Sequence, residues 1–221
     1  MAKDKLKEKL KVNLGCGVAV IPGWINVDSS PNALLAKLPG YCFIKSILFK
    51  LHLISDGAYN AKWSKDIVYC NLEKSFLSIA KSSCCTIYTS HFLEHIPKAA
   101  AISLLKECYA ALCSGGILRV AVPNLYSEAK KYVECFETTK ENGSVDYNAS
   151  EDFIHLMVSR SQRHSHRWMY DYFSLSHLLR EIGYVEVNQK EFLQSEIEEI
   201  RLLETREDSL FIECKKPWVS Q

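Results

Sequence analysis

Apolar residues in this chain come in short blocks, and the blocks switch between strand-like and helix-like spacing. Lys11 to Leu14 is a strand-like run that ends in Gly15-Cys16-Gly17, and Trp24 to Val27 is a second one that ends at the carboxylate of Asp28. Asp66 to Cys70 and Cys85 to Thr89 read as the third and fourth strands. Pro97 then opens a helix, whose alanines and leucines at 99, 100, 101, 104, 105, 110, 111 and 112 lead to a Ser114-Gly115-Gly116 stop. Ile117 to Val122, rich in β-branched residues, follows as a fifth strand closed by Pro123. Residues 126 to 138 predict another helix, and 139 to 152, with Asn142-Gly143-Ser144, a loop. Ser174 to Ile182 predicts a short helix stopped by Gly183, after which Tyr184 to Val187 and Leu210 to Cys214 are the last two strands. Between them Glu196, Glu198, Glu199, Glu204, Glu207 and Asp208 form an acid-rich run that reads as a solvated helix.

Helix-then-strand alternation predicts parallel pairing. Right-handed crossovers between such strands put helices on both faces and open a ligand crevice at the carboxyl ends. Residues 31 to 62 interrupt this rhythm: Phe43, Ile44, Ile47, Leu48, Leu51 and Ile54 keep helical spacing, broken by Lys45, Lys50 and His52. That stretch is too short and too charged to span a bilayer, and predicts an inserted helical region that packs over the domain or lids its pocket.

At 221 residues the chain suits one domain, and its 48% hydrophobic content supports a substantial core. Basic and acidic residues nearly balance, 27 against 26, so no global field favours nucleic acid or an anionic membrane. The opening MAKDKLKEKLK alternates charge without an apolar run, which predicts a cytoplasmic protein. Nine cysteines, an odd number without metal-type spacing, read as reduced thiols rather than a disulfide framework or zinc ribbon.

Chemistry gathers at the strand ends. Gly15-x-Gly17 lets the backbone approach a ligand closely, and Asp28 at the end of the next strand suits the two hydroxyls of a ribose. Together they point to a nucleoside-bearing ligand. A dinucleotide is disfavoured, because the third glycine and the acid about twenty residues on are both missing.

Four segments, Asn13-Leu14-Gly15-Cys16-Gly17, Gly23-Trp24-Ile25-Asn26-Val27-Asp28, Ser90-His91-Phe92-Leu93-Glu94-His95 and Gly115-Gly116-Ile117-Leu118-Arg119-Val120-Ala121-Val122-Pro123, resemble successive motifs of class I S-adenosylmethionine-dependent methyltransferases. The compact Gly-Trp-Ile-Asn-Val-Asp spacing and the late His166-Arg167-Trp168 segment resemble a bacterial subgroup associated with polysaccharide biosynthesis. The resemblance implies a doubly wound, three-layer, Rossmann-like α/β fold with a seven-stranded, mostly parallel sheet and an antiparallel last strand. It implies S-adenosylmethionine as cofactor and a small-molecule or sugar acceptor. Asn13, Gly15, Cys16 and Gly17 would face its methionine part, Asp28 the ribose, and Asn71 and Leu72 the adenine, with Ser90 lining the pocket. Asn71 stands where many relatives carry an acid, and its carbonyl can still accept from an adenine amino group.

Methyl transfer to a hydroxyl is helped by a base, and His91 and His166 are the leading candidates, ahead of His164. Arg163 and Arg167 suit a carboxylate or phosphate on the acceptor. His91-Phe92-Leu93-Glu94-His95 also spells the H-x-x-E-H of inverted zinc peptidases, but the motif starts at a strand end and Pro97 follows at once, whereas the peptidase needs it within a long helix. Two further readings are a divalent metal held by His91, Glu94 and His95, and a catalytically inactive binding protein of the same fold. The preferred reading is an enzyme with no metal ligand among these residues.

Overall fold

The computed structural model describes residues 9–74, 78–142, 153 and 166–218. Seven strands form one sheet: β1 (Leu10–Leu14), β2 (Ile25–Asp28), β3 (Val68–Tyr69), β4 (Cys84–Ser90), β5 (Leu112–Pro123), β6 (Val185–Lys190) and β7 (Ser209–Lys215). Their spatial order is β3-β2-β1-β4-β5-β7-β6. β1 through β5 pair in parallel, and β7 runs antiparallel to both β5 and β6. The order reverses between β1 and β4, the place where a sheet of this kind opens a crevice at its carboxyl edge.

Burial on both faces explains the near-continuous apolar strands. One face is covered by α4 (Lys98–Ala111) and the later helix Tyr172–Ile182; Leu104, Leu105, Leu175 and Leu179 pack there on Val12, Ile87, Leu118, Val120 and Ile212. On the opposite face Tyr88 and Ile117 meet Ile21, Trp24, Ile197, Ile200 and Leu203. The cover on this side is the acid-rich segment, and here the solvated-helix expectation is corrected. Its helix is the single turn Ile200–Leu203, and Glu204 is buried. β5 alternation sends Arg119 towards this face, fully buried, so its guanidinium requires partners. Glu204 accepts from Arg119 Nε at 2.8 Å, and the carbonyls of Gln194 and Glu191 accept at 3.0 and 3.2 Å.

Helix ends follow local chemistry. Pro97 caps α4, as predicted, but the helix stops at Ala111 and the chain enters β5 directly. Gly115 and Gly116 lie inside β5, where its register against β4 shifts. A Cβ on Gly115, at φ +73°, would collide with the Trp218 ring, so Gly115 admits a side chain rather than stops a helix.

Residues 31 to 60 form three short helices, α1 (Pro31–Leu35), α2 (Tyr41–Lys50) and α3 (Asp56–Asn60). Lys45 donates to the Ala61 carbonyl at 2.5 Å, and Phe49 stacks on Tyr59 at 4.2 Å. α5 (Leu125–Asn142) leaves the end of β5, longer than predicted. The helix Tyr172–Ile182 is α6, closed by Gly183 as expected, and Ile200–Leu203 is α7. The third strand is only two residues, against the five predicted. All nine cysteines are free thiols, and Cys16, Cys84, Cys108, Cys113 and Cys214 are buried. None of the described helices is long and apolar enough to cross a membrane.

Candidate functional site

At the tips of β1 and β2 the chain makes a pinned turn. Gly17 N–H donates to Asp28 Oδ2 at 2.7 Å, and Ser30 N–H donates to Oδ1 at 2.6 Å. Cys16 N–H donates to the Val27 carbonyl at 3.0 Å. Gly17 has φ +54° and nothing within 4 Å of where a Cβ would stand, so this backbone is open to a ligand. Gly15, at φ +66°, is covered instead: a Cβ there would lie 2.6 Å from Phe92. Asn13 donates to the Ala19 carbonyl at 3.0 Å and to Asn26 Oδ1 at 3.3 Å, so its amide shapes the turn from below. Asn26 bonds both the N–H and the carbonyl of Ile21 at 2.9 Å.

Burial and the Asp28 carboxylate push the Cys16 thiol up to about 12, so it is a neutral packing group against Ala33 and Ile67. Asn71 follows β3, and its carbonyl accepts from Glu73 N–H at 3.2 Å; Leu72 beside it is buried. Ser90 ends β4, half-buried. Thus Gly17, Asp28, Asn71 and Ser90 all stand at the carboxyl edge of the sheet. Ser29, next to Asp28, has a buried hydroxyl without a hydrogen-bond partner among the described residues. An open glycine and a carboxylate side by side could hold a ribose.

The second half of the site lies beyond β4 and β5. A cavity of about 470 Å³ is lined by His91, Glu94, His95, Pro123, Asn124, Glu128, His166, Arg206 and Asp208. His91 has φ +48°, a left-handed conformation uncommon outside glycine, and its N–H is held by the Ala121 carbonyl at 2.9 Å. This bend aims its ring between two elements: Nδ1 lies 3.3 Å from Glu94 Oε1, and Nε2 lies 2.8 Å from Ser209 Oγ. Glu94 is fully buried within the 3₁₀ turn Leu93–His95. Its carbonyl accepts from Arg167 N–H at 2.7 Å, docking the segment that carries His166. Arg167 itself points away, to Glu73 at 3.0 Å.

Of the sequence-based candidates, His91 and His166 reach this one cavity, and Arg167 does not line it. His164 and Arg163 lie outside the described residues. Ser209, Asn124, Glu128, Arg206 and Asp208 were not singled out from sequence. Asn124 had a usable signal, since it follows Pro123 at a strand's carboxyl end.

The comparisons with known proteins bear on this architecture. The sequence matches no protein-family model and no curated protein. Solved structures do match. An S-adenosylmethionine-dependent methyltransferase from Methanosarcina mazei superposes with a TM-score of 0.50 at 18% identity, covering 96% of this chain and 93% of that one. One from Archaeoglobus fulgidus has a TM-score of 0.50 at 17% identity, covering 95% and 87%. The fold is that of the class I methyltransferases. A third structure, from Thermotoga maritima, agrees at a TM-score of 0.50 and 17% identity, covering 96% and 84%. The methyltransferase fold also changes the reading of His91-x-x-Glu94-His95. His91 ends a strand in a left-handed bend and His95 ends a 3₁₀ turn, so the two do not share a helix face as the peptidase motif requires.

Proposed function

We propose that this chain is an S-adenosylmethionine-dependent methyltransferase whose acceptor is a small, hydroxyl-rich, carbohydrate-like molecule. One observation carries the reading: the glycine turn packs against the segment that carries the polar cavity's residues, because the bare backbone of Gly15 receives Phe92, the residue between His91 and the Glu94 turn. On a methyltransferase fold this contact joins a cofactor cradle to an acceptor chamber.

Gly17 and Asp28 would hold the cofactor through backbone approach and charge-assisted ribose hydrogen bonds. Asn13, Gly15 and Cys16 shape the turn, Asn71 and Leu72 would flank the adenine, and Ser90 would line the passage to the acceptor. S-adenosylmethionine, when bound, supplies a methyl group on a sulfonium, so that the acceptor oxygen's lone pair forms the new C–O bond while the C–S bond breaks and sulfur keeps its electrons. The protein supplies alignment and a destination for the acceptor's proton. In the tautomer that carries its proton on Nδ1, 3.3 Å from Glu94 Oε1, His91 presents the lone pair of Nε2, where Ser209 sits at 2.8 Å. An acceptor hydroxyl replacing Ser209 at that nitrogen gives up its proton there, and solvent takes it afterwards. His166 lines the same chamber and contacts the acceptor.

Eight of the nine lining residues, all but Pro123, are polar or charged, which supports a sugar-like acceptor over a lipid or an aromatic one. The test is calorimetry with S-adenosylmethionine and S-adenosylhomocysteine, followed by radiolabelled methyl transfer to a panel of sugars and sugar nucleotides. Micromolar binding of both and transfer to a sugar hydroxyl are expected; no heat with either cofactor form would overturn the proposal.

A further inference from the structure

Glu94 is 0% exposed, and neither oxygen of its carboxylate has a hydrogen-bond partner among the described residues. A carboxylate removed from water in this way requires a compensating cation, and buried charges are as a rule paired or bound to metal. The basic groups around it are imidazoles. His91 Nδ1 stands 3.3 Å and His95 Nε2 3.9 Å from Glu94 Oε1. His166 joins them from another segment, its ring centroid 5.1 Å from that of His95. One ligand atom each from Glu94, His95 and His166 lie within 4.8 Å of one another.

We propose that Glu94, His95 and His166 form a divalent-cation site in the wall of the acceptor cavity. One carboxylate oxygen and two imidazole nitrogens make a three-ligand set that leaves positions open for water or substrate. Two nitrogen donors favour zinc, iron or cobalt over magnesium or calcium. The fold itself holds the ligands in place: Glu94 and His95 share one 3₁₀ turn, and the Glu94 carbonyl holds the N–H groups of Arg167 and Trp168 at 2.7 and 3.3 Å. That clamp fixes His166, the residue just before Arg167, beside the carboxylate. His91 stays outside the set. Its Nδ1 faces Glu94, in the manner of groups that orient a metal ligand, while its Nε2 stays with Ser209 and remains available to the acceptor.

The open positions face a chamber rimmed by Asn124, Glu128 and Asp208. A ligand able to chelate there carries two adjacent oxygens, such as a vicinal diol or a 2-hydroxy acid. This narrows the acceptor class and rests on the methyl-transfer reading, whereas the cation site itself does not.

The experiment strips the full chain with chelator and titrates it with zinc, manganese and cobalt chlorides by calorimetry, with cobalt also followed by visible absorption. One equivalent is expected to bind, with cobalt bands typical of four or five ligands. Glu94→Gln and His166→Gln should each weaken binding at least about tenfold. His177→Gln, at an exposed histidine elsewhere, should not. His166 is half-buried, so its variant guards against misfolding of the Glu94 variant. No stoichiometric binding by the wild-type chain, or equal binding by wild type and His166→Gln, would overturn the proposal. S-adenosylmethionine binding by the same metal-free wild-type protein separates this failure from failure of the methyl-transfer reading.

Discussion

The backbone N–H of Gly17 donates to Asp28 Oδ2 at 2.7 Å, so the tips of β1 and β2 act as one unit. The open face of Gly17 and the carboxylate of Asp28 therefore reach a ligand together or not at all. Asp28→Ala is expected to weaken S-adenosylmethionine binding by about 1–3 kcal/mol, through the loss of charge-assisted hydrogen bonds. Titration calorimetry on the purified variant measures this, and unchanged affinity removes Asp28 from the cradle.

The two glycines of this turn should respond differently to alanine. Both have positive φ, which costs an L-residue about 1–2 kcal/mol. At Gly17 that strain is the whole cost to stability, because the Cβ meets open space. At Gly15 the Cβ would collide with Phe92 at 2.6 Å, so the ring must move and its packing is lost. Denaturant unfolding should rank Gly15→Ala well below Gly17→Ala in stability, and Phe92→Ala should shrink the gap. Cofactor affinity should fall most for Gly17→Ala, whose Cβ intrudes on the ligand.

The sheet was legible because its strands obey simple rules. β1, β2, β4, β5 and β7 are buried on both faces and so appear as dense apolar runs, bounded by Gly15, Asp28, Ser90, Pro123 and the acidic run. β3 pairs over only two residues at the sheet edge, too few to leave a pattern, so its predicted length was wrong. In the acid-rich run Glu196, Glu198, Glu207 and Asp208 are exposed, and the exception to a solvated face is Glu204. Glu204 and Glu213 are buried to balance Arg119, and only the three-dimensional face on which Arg119 emerges reveals that need. In the site, His91 and Glu94 were visible because a strand end carries them. Ser209 was not, since nothing along the chain signals that the first residue of β7 reaches back to the end of β4.

Arg119 is 0% exposed and lies 2.7 Å from Glu204, at the sheet face that the 191–204 segment covers. Glu204 also accepts from Leu193 N–H at 2.7 Å, tying that segment's backbone to the ion pair. Arg119→Met strands two buried carboxylates and is expected to destabilise the fold by about 3–5 kcal/mol. Arg119→Met with Glu204→Leu should recover part of the loss. Thermal unfolding of the three proteins tests this, and a single variant as stable as wild type would refute it.

Acid should weaken α6 through Asp171. Its carboxylate accepts from Ser174 N–H at 2.7 Å, with Ser174 Oγ accepting in turn from the Asp171 N–H, and these bonds hold the carboxyl below its ordinary range. A group whose folded pKa is depressed stabilises the fold above its unfolded pKa, and that contribution fades as pH falls through the folded value. Asp171→Ala should cost about 1 kcal/mol near neutrality, the usual worth of such a cap. Its deficit against wild type should shrink as pH falls below the ordinary aspartate pKa of about 3.9, where the unfolded chain's carboxyl takes up its proton first. Urea midpoints from pH 3 to 7 give the comparison; a deficit that grows on acidification would contradict it.

His91 and Ser209 share one hydrogen bond of 2.8 Å, yet the proposed chemistry asks different things of them. The histidine must be present in every turnover, because its Nε2 receives the acceptor's proton. The serine need only fill that position until the acceptor arrives. Once a methyl acceptor is known, His91→Ala should lower kcat by about 10²–10⁴, the span of general-base catalysis. S-adenosylmethionine affinity should hold, since His91 faces the cavity and the Gly17 turn keeps its own bonds. Ser209→Ala should stay within a few-fold of wild type in kcat, with any change falling mainly on KM for the acceptor. A loss of kcat for Ser209→Ala as deep as that for His91→Ala would mean that the serine hydroxyl itself carries the proton, making the route a two-residue relay from acceptor to Ser209 to His91. A loss for neither would take the pair out of the chemistry and leave alignment by the cavity walls as the main source of rate.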